Sequence, residues 1–283
     1  MPTALYPSEM RGTISDQVPM SDPPRKVVDC VLFNGETKML LFRLTELNDL
    51  VDHFIIAEAE YTFTGQRKAT VFDQEQALFA RFKPKVTYLR NANPPKTDAW
   101  ENETDQRNFL ANGVRPLGLG SDDILMLSDV DEIPDPAMLK DFKENGCFGI
   151  YVFYQNFYYY NTRCRSKAKW CGTLAGNYAT WDHHGLDFET LRRNRWRTAR
   201  IGRDHDYRSG GWHFSFFGDT GAIIRKIQSF AHQEFNKPEF LDPARIERVI
   251  AEGKDLFDRP NEGWELIDDR SYLPKHVAIL EGS

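Results

Sequence analysis

The stretch around Asp129 constrains the fold of this chain more than any other. Residues 124–127 form an unbroken apolar run of strand length, and after Ser128 come the acidic residues Asp129, Asp131 and Glu132. Pro134 then ends any continuation of a strand. The pattern predicts a buried strand that leads into an acidic loop at its carboxyl end, where open α/β sheets bind their ligands.

The spacing of Asp129 and Asp131 predicts a metal site. Alternate side chains of an extended chain lie on the same side, so the two carboxylates converge. Two like charges that close need a cation, and oxygen ligands suit Mg²⁺ or Mn²⁺, which keep positions open for substrate phosphates. The alternative is a solvated acidic turn before a helix, because Asp135 and Pro136 have the residue types of an N-cap and a first helical turn.

Strand-like and helix-like patterns alternate before this acidic stretch. The predicted strands are residues 26–33, 54–57 and 85–89, and the predicted helices are residues 40–51, 73–82 and 100–117. This alternation is typical of a mostly parallel sheet with right-handed crossover connections. We therefore expect an α/β fold in which helices flank a mostly parallel central sheet.

The residue composition of the chain changes after a predicted helix at residues 135–145. The aromatic segment 148–160 is either a strand in a sheet core or a platform that stacks on sugar rings. Residues 192–203 form a basic stretch. It is either the solvated edge of a sheet or a contact for a diphosphate. Residues 210–219 place Trp212 and His213 between glycines, which indicates that the backbone here approaches another group closely. A histidine among aromatic residues is, however, often only part of a core. Helices are predicted at residues 221–230 and 243–253.

Composition and charge exclude several classes of protein. The chain has 36 basic and 42 acidic residues, a net charge of −6, which argues against a general binder of nucleic acid or anionic membrane. The four cysteines match no zinc spacing and are too few for a disulfide framework in a chain of 283 residues. We expect reduced, partly buried thiols.

The domain organisation follows from the same patterns. Residues 1–26 are polar and proline-rich and are expected to be a disordered arm; residues 27–254 are expected to form one domain, with a donor and metal half (27–146) and an acceptor half (147–254). Residues 255–283 read as an irregular tail. Since the sequence has no secretory segment and no apolar run of membrane-spanning length, we expect a cytoplasmic protein without a transmembrane segment.

Several motifs, in order along the chain, resemble those of glycosyltransferase family 17. They are FNGETKMLLFRL from Phe33, DHFIIAEAEYTFTG from Asp52, QRN at 106–108, LSDVDEIP at 127–134, GWHFS at 211–215 and SFAHQEFN at 229–236. The ordered set is more specific than any one motif and covers most of the chain. The resemblance implies a GT-A-like nucleotide-sugar transferase fold, a UDP-sugar donor, with UDP-GlcNAc expected, and a Mn²⁺ or Mg²⁺ ion.

The resemblance also implies roles for individual residues. Asp129, Asp131 and His213 would hold the metal, while the donor would lie against the set Glu36, Glu58, Arg107, Asp129, Trp212 and His213. Family members form a β-linkage from an α-linked donor, which implies inversion and a base near the acceptor hydroxyl. The candidate bases are Glu189, Asp219 and Glu234, with Asp187 a weaker one. The acceptor is expected to be a glycan or a lipid-linked sugar.

Two other functions fit parts of the sequence. A non-catalytic carbohydrate-binding protein would use the aromatic residues and would need no acidic pair. A haloacid-dehalogenase-like phosphatase also has an Asp-x-Asp after a strand, but near the first strand and followed by Thr or Val, whereas here Glu132 follows.

Overall fold

The computed structural model describes residues 24–195, 200–201, 210–259 and 263–282, the pair 200–201 by its backbone. The strands are β1 (Val27–Phe33), β2 (His53–Ala59), β3 (Val86–Asn91), β4 (Ile124–Asp129), β5 (Glu132–Pro134), β6 (Ile150–Tyr159), β7 (Cys164–Asn177), β8 (Arg200–Ile201), β9 (Gly211–Ser215) and β10 (Trp264–Leu266). The α-helices are α1 (Thr37–Leu47), α2 (Val71–Gln74), α3 (Gln76–Phe79), α4 (Ala99–Phe109), α5 (Ala111–Val114), α6 (Pro136–Asn145), α7 (Tyr178–His183), α8 (Phe188–Arg193), α9 (Thr220–Ser229), α10 (Pro243–Glu252) and α11 (Ala278–Glu281).

All ten strands of the described residues belong to one sheet. Its order is β3-β2-β1-β4-β7-β6-β9-β5, with β10 paired to β7 and β8 paired to β6. The pairs among β1, β2, β3 and β4 are parallel, as the alternation of strands and helices predicts. The α/β expectation is therefore confirmed for this half of the sheet.

The second half of the sheet is mixed, so the expectation of a mostly parallel sheet is too simple. Strand β7 runs antiparallel to β4, β6 and β10, and β5 runs antiparallel to β9. Only residues 160–163 join β6 to β7, and a connection that short can return the chain only as an antiparallel hairpin. The aromatic segment is thus a strand, one of the two interpretations of its composition.

Apolar residues cover both faces of the sheet. Val27 and Val31 of β1 pack into the cluster that includes helix α1, whereas Val28 and Cys30 pack into the cluster that includes α5. This division follows from the alternation of side chains along a strand. Because both faces are buried, the central strands read as nearly continuous apolar runs.

Two helices predicted as continuous are broken. Residues 73–82 fall in α2, α3 and a 3-10 turn at Ala80–Lys85, and residues 100–117 fall in α4, α5 and a 3-10 turn at Arg115–Leu117. Pro84 and Pro116 lie in those 3-10 turns and have no backbone N–H to donate to an α-helical carbonyl.

The C-terminal segment is more ordered than the predicted irregular tail. It contributes β10 to the sheet, and Leu273 and Val277 pack against the main core. The backbone carbonyl of Tyr272 accepts a hydrogen bond from Trp212 Nε1 at 2.5 Å. Residues 1–23 of the predicted N-terminal arm lie outside the described residues.

The structure also bears on the cysteines and on membrane-spanning helices, within the described residues. All four cysteines are free, and all four are buried, which is more than the partial burial that the sequence predicts. Among the described segments, no helix combines the length and the apolar character needed to cross a membrane.

Candidate active site

The Asp-x-Asp stretch forms a tight turn and not the extended loop that the sequence predicts. Strand β4 ends at Asp129, Val130 and Asp131 make the turn, and β5 begins at Glu132. The Asp129 N–H donates to Glu132 Oε2 at 3.0 Å, and the Phe214 N–H donates to the Asp131 carbonyl at 2.8 Å. These bonds fix the direction in which each carboxylate leaves the sheet.

A buried ion pair supports this turn from the side of helix α1. Arg43 and Asp29 are both fully buried and are joined by two hydrogen bonds of 2.6 and 2.7 Å. Arg43 Nη1 also donates to the Glu132 carbonyl at 2.6 Å and lies 3.4 Å from the Asp129 carbonyl. Since a buried charge needs a partner, Asp29 holds Arg43 in the position from which it ties the turn to α1.

Two arginines hold the carboxylate of Asp129. Arg107 Nη1 lies 2.8 Å from Oδ1, and Arg192 Nη2 lies 3.1 Å from Oδ2. Burial alone would raise the pKa of Asp129, but Arg107 and Arg192 outweigh it and lower the pKa. The side chain of Asp129 is 40% exposed, so this carboxylate remains open to a ligand.

The carboxylate of Asp131 contacts a different pair of groups. Lys226 Nζ, from α9, lies 2.7 Å from Oδ2, and His213 Nε2 lies 3.5 Å from Oδ1. Burial would raise the pKa of Asp131, but the charge of Lys226 and the contact with His213 hold the pKa well below its usual range. The sequence predicts that two neighbouring carboxylates need a cation, and in this structure protein side chains supply it.

Glu132 and Arg192 form the buried base of the cluster. Arg192 Nη1 donates to Glu132 Oε2 at 2.8 Å and Nη2 to Oε1 at 2.5 Å. Trp170 Nε1 also donates to Glu132 Oε1, at 2.6 Å. Burial would lower the pKa of Arg192, but Glu132 and Asp129 outweigh it and raise the pKa, so the guanidinium stays charged.

Arg107 is held in turn by Glu189, one of the predicted bases. Arg107 Nε lies 2.7 Å from Glu189 Oε2, and Arg193 Nε lies 2.5 Å from Glu189 Oε1. Arg107 also pairs with Glu103. Both oxygens of Glu189 are therefore engaged by guanidinium groups, which suits a residue that positions Arg107 more than one that accepts a proton.

Trp212 and His213 occupy opposite faces of β9, as neighbouring strand residues must. His213 stacks on Phe157 with the ring centroids 4.7 Å apart, and its centroid lies 4.7 Å from that of Trp170. Its Nδ1 is buried and has no hydrogen-bond partner among the described residues. Trp212 packs instead into the main core, away from the carboxylates.

A pocket of about 60 Å³ adjoins Asp131. Its lining includes Glu36, Asp131, Lys226, Phe214, Phe216 and Phe217. Glu36 follows the carboxyl end of β1, where the sequence places it. The pocket therefore combines an apolar wall with three charged groups.

Glu58, which was predicted to line the donor site, and the predicted bases Asp219, Glu234 and Asp187 do not line this pocket. Glu58 is fully buried and accepts hydrogen bonds from the Val71 and Phe72 N–H groups at the start of α2, at 2.8 and 3.1 Å. Asp219 accepts from the Ala222 N–H as the N-cap of α9, Asp187 accepts from the Thr190 N–H as the N-cap of α8, and Glu234 pairs with His232 at 2.7 Å. Their predicted roles in the donor site and in proton transfer remain predictions.

The residues present fit a divalent ion that arrives with phosphate better than an ion held by protein alone. Within residues 24–195, 210–259 and 263–282, no group of three or more His, Cys, Asp or Glu side chains could hold a metal. Mg²⁺ and Mn²⁺ need only one or two carboxylates when substrate phosphates supply further oxygens, and Asp129 and Asp131 meet that requirement. His213 lies beside Asp131 but completes no such group.

Sequence patterns missed Asp29, Arg43 and Lys226, and they included Arg192 only as part of a longer basic stretch. Asp29 could have been identified from the sequence, because a charged residue inside the apolar run of β1 needs a buried partner, which is Arg43 in the structure. Lys226 follows Ile223 by three positions and so lies near the buried face of α9. Arg192 belongs to the basic stretch 192–203, but residues 196–199 and 202–203 of that stretch lie outside the described residues.

Comparisons with known proteins agree with the motifs. The sequence model described as glycosyltransferase family 17 matches residues 17–269. The chain is 26% identical, over 288 aligned residues, to the proteins named beta-1,4-mannosyl-glycoprotein 4-beta-N-acetylglucosaminyltransferase from Rattus norvegicus and Homo sapiens. Each alignment covers 90% of this chain and 53% of the relative, so the chain spans about half the length of these relatives.

Solved structures match weakly. The inositol-1-phosphate CTP transferase from T. maritima has a TM-score of 0.37 and 10% identity, with 92% of this chain and 96% of that chain covered. The glycosyltransferase GlyE of Streptococcus pneumoniae TIGR4 has a TM-score of 0.32 and 12% identity, with 60% and 39% covered. Scores this low carry no argument about fold or chemistry.

Proposed function

The chain belongs to glycosyltransferase family 17, and from this premise we propose that it transfers N-acetylglucosamine from UDP-GlcNAc to a hydroxyl group of a glycan or lipid-linked sugar, with inversion and with the help of Mn²⁺ or Mg²⁺. The observation that carries the proposal is the ion-pair cluster at the end of β4. There Asp129 and Asp131 are surrounded by Arg107, Arg192 and Lys226, beside a partly apolar pocket. We also propose a GT-A-like arrangement of the sheet around this site.

The charges of the cluster support binding of metal and nucleotide together. Arg107, Arg192 and Lys226 already contact Asp129 and Asp131, so a divalent ion arriving alone would compete with these three cations for the two carboxylates. A nucleotide diphosphate brings further negative charge, which can pair with the metal and with these side chains. Each ligand therefore strengthens the binding of the other, and by linkage the two effects are equal.

The residues of the cluster have separate tasks in the transfer. The metal, when bound, would be held by Asp129 and Asp131 and would stabilise negative charge on the leaving diphosphate. Arg107 and Arg192 keep Asp129 ionised and fix its orientation. Lys226, whose side chain is 27% exposed, uses one N–H on Asp131 and has further donors for a phosphate oxygen.

The relatives' names supply the first sugars to test. Those proteins are named for transfer of N-acetylglucosamine to a mannosyl-glycoprotein, so a β-mannoside is the first acceptor probe. Phe216 and Phe217 give the pocket an apolar wall against which the carbon-rich face of a sugar can pack.

The experiment is a comparison of donors. UDP-GlcNAc with Mn²⁺ should raise the melting temperature, since a ligand at 100 times its Kd adds about 2.7 kcal/mol to the free energy of unfolding. GDP-mannose with Mn²⁺ is the control and should give a much smaller shift. Equal shifts from the two nucleotides would contradict a uridine-specific site, and UDP release from UDP-GlcNAc excludes a non-catalytic carbohydrate-binding protein.

A further inference from the structure

We infer that Glu36 is the base that takes the proton from the acceptor hydroxyl, an inference that rests on the proposed inverting transfer. Glu36 lines the same pocket as Asp131 and Lys226. Inverting transfer in a single displacement needs a proton acceptor within hydrogen-bond reach of the acceptor hydroxyl. The pocket brings the Glu36 carboxylate into the same small space as the proposed metal ligand, and so near the groups that react.

The contacts of Glu36 leave it available for proton transfer. Its Oε2 accepts a hydrogen bond from the Asn34 N–H at 3.0 Å, and within the described residues the carboxylate forms no other hydrogen bond and no ion pair within 4.0 Å. Although Glu36 is the N-cap residue of α1, its side chain makes no capping bond. One carboxylate oxygen is therefore free to meet a ligand in the pocket.

The other carboxylates near the site are already engaged. Asp131 is bound by Lys226, and both oxygens of Glu189 are bound by Arg107 and Arg193. Asp219 and Glu234, the remaining predicted bases, do not line the pocket. Of the candidate bases, Glu36 thus combines a place on the pocket with an unengaged oxygen.

Local backbone structure holds Glu36 at this position. The preceding turn passes through Gly35, whose φ of +95° is unfavourable for residues with a side chain. A Cβ atom at Gly35 would also lie 3.3 Å from Val71 Cγ2. The turn therefore leads from the end of β1 into α1 and directs residue 36 to the pocket.

The proposed step conserves atoms and charge. The acceptor oxygen forms a bond to the anomeric carbon of the sugar as the bond from that carbon to the diphosphate oxygen breaks. The proton of the acceptor hydroxyl passes to Glu36, and the electron pair of the broken bond leaves with UDP. Glu36 later returns the proton to water.

The test separates proton transfer from donor binding. Glu36→Gln keeps an oxygen that can accept from the Asn34 N–H but removes the basic carboxylate. UDP release is measured with UDP-GlcNAc and Mn²⁺, with water and with p-nitrophenyl β-mannoside as acceptors, and donor Kd is measured by calorimetry. We expect kcat to fall at least 100-fold, within the range for a lost general base, while donor Kd changes less than about threefold. Glu36→Asp should retain part of the activity.

Glu144→Gln is the matched control, because Glu144 lies on α6 with a side chain that is 60% exposed. It should behave as the wild type. A Glu36→Gln variant with nearly normal kcat would overturn the inference while leaving the proposed function intact. A variant whose donor Kd rises as much as kcat/KM falls would make Glu36 a donor-binding residue only. Absence of UDP release from the wild-type protein with every donor would contradict the proposed function itself.

Discussion

Lys226 Nζ lies 2.7 Å from Asp131 Oδ2, so a lysine from a helix distant in the sequence contacts one carboxylate oxygen of the proposed metal ligand. Residues 131 and 226 are 95 positions apart in the chain. The contact lowers the pKa of Asp131 and raises that of Lys226, so both groups remain charged at neutral pH. If Asp131 binds a divalent ion as proposed, the ammonium group of Lys226 would compete with that ion, and a diphosphate could pair with both.

Removing Lys226 should therefore strengthen the binding of metal alone. We expect Lys226→Ala to bind Mn²⁺ at least fivefold more tightly than the wild type without nucleotide, because about 1 kcal/mol of competing attraction is lost. Calorimetric titration with Mn²⁺ measures this. Lys140→Ala removes a lysine whose side chain is 63% exposed and serves as the control. Unchanged or weaker Mn²⁺ binding by Lys226→Ala would show that the lysine does not compete with the metal.

Asp131→Asn should destabilise the metal-free protein at neutral pH and much less in acid. It leaves Lys226 partly buried without its partner, a loss of about 2 kcal/mol in the free energy of unfolding. The folded pKa of Asp131 is depressed, so its contribution is complete above the unfolded value of about 3.9 and is lost as the pH falls below it. Denaturant unfolding at pH 7 and pH 3 with a chelator measures the difference. The ion pair would be contradicted if Asp131→Asn lowered the free energy of unfolding equally at the two pH values. It would also be contradicted if the exposed Asp49→Asn lowered it by the same amount.

The Arg43 and Asp29 pair should matter for stability and for the site in different ways. Asp29→Asn leaves the buried Arg43 charge without its partner and should cost about 3–5 kcal/mol. Asp29→Leu combined with Arg43→Met should recover much of that stability, because an apolar pair replaces an ion pair. The double variant should still bind donor poorly, since the hydrogen bonds from Arg43 to the carbonyls of Asp129 and Glu132 are then lost. Normal donor affinity in the stable double variant would show that Arg43 does not position the turn.

The contacts of Glu189 predict a role in positioning Arg107. Glu189→Gln should raise donor Kd more than it lowers kcat, because the amide holds Arg107 less firmly against Asp129. Calorimetry and initial rates of UDP release on the same preparation give both quantities. The reverse pattern, with donor Kd unchanged and kcat at least 100-fold lower, would make Glu189 the base in place of Glu36.

Local patterns in the sequence predict the first half of the fold well. The apolar runs of β1 and β4 and the helical spacing of α1 are properties of neighbouring residues, and the structure has these elements within a few residues of the expected bounds. The parallel order of β1, β2 and β3 follows from their separation by helices. The antiparallel second half depends on the hairpin between β6 and β7, which the aromatic composition did not reveal.

The site was only partly predictable, because its contacts join distant parts of the chain. The motifs contain Asp129, Asp131, Arg107 and His213, and the structure brings these four residues together. Their ion pairs with Arg192 and Lys226 connect residues at least 60 positions apart, and no local pattern encodes such pairs. The metal ion predicted from the acidic pair stays a prediction, and the sequence could not indicate that Arg107, Arg192 and Lys226 pair with these two carboxylates.

Transfer of the sugar itself is the most direct test of the proposed function. The protein is incubated with UDP-GlcNAc, Mn²⁺ and p-nitrophenyl β-mannoside, and the products are analysed by mass spectrometry alongside an Asp129→Asn control. We predict that the mannoside gains one N-acetylhexosamine with a matching release of UDP, and that Asp129→Asn lowers the rate at least 100-fold while its circular dichroism spectrum remains that of a folded protein. Equal rates of transfer by the wild type and Asp129→Asn would contradict the assignment of the site to the Asp129 and Asp131 cluster.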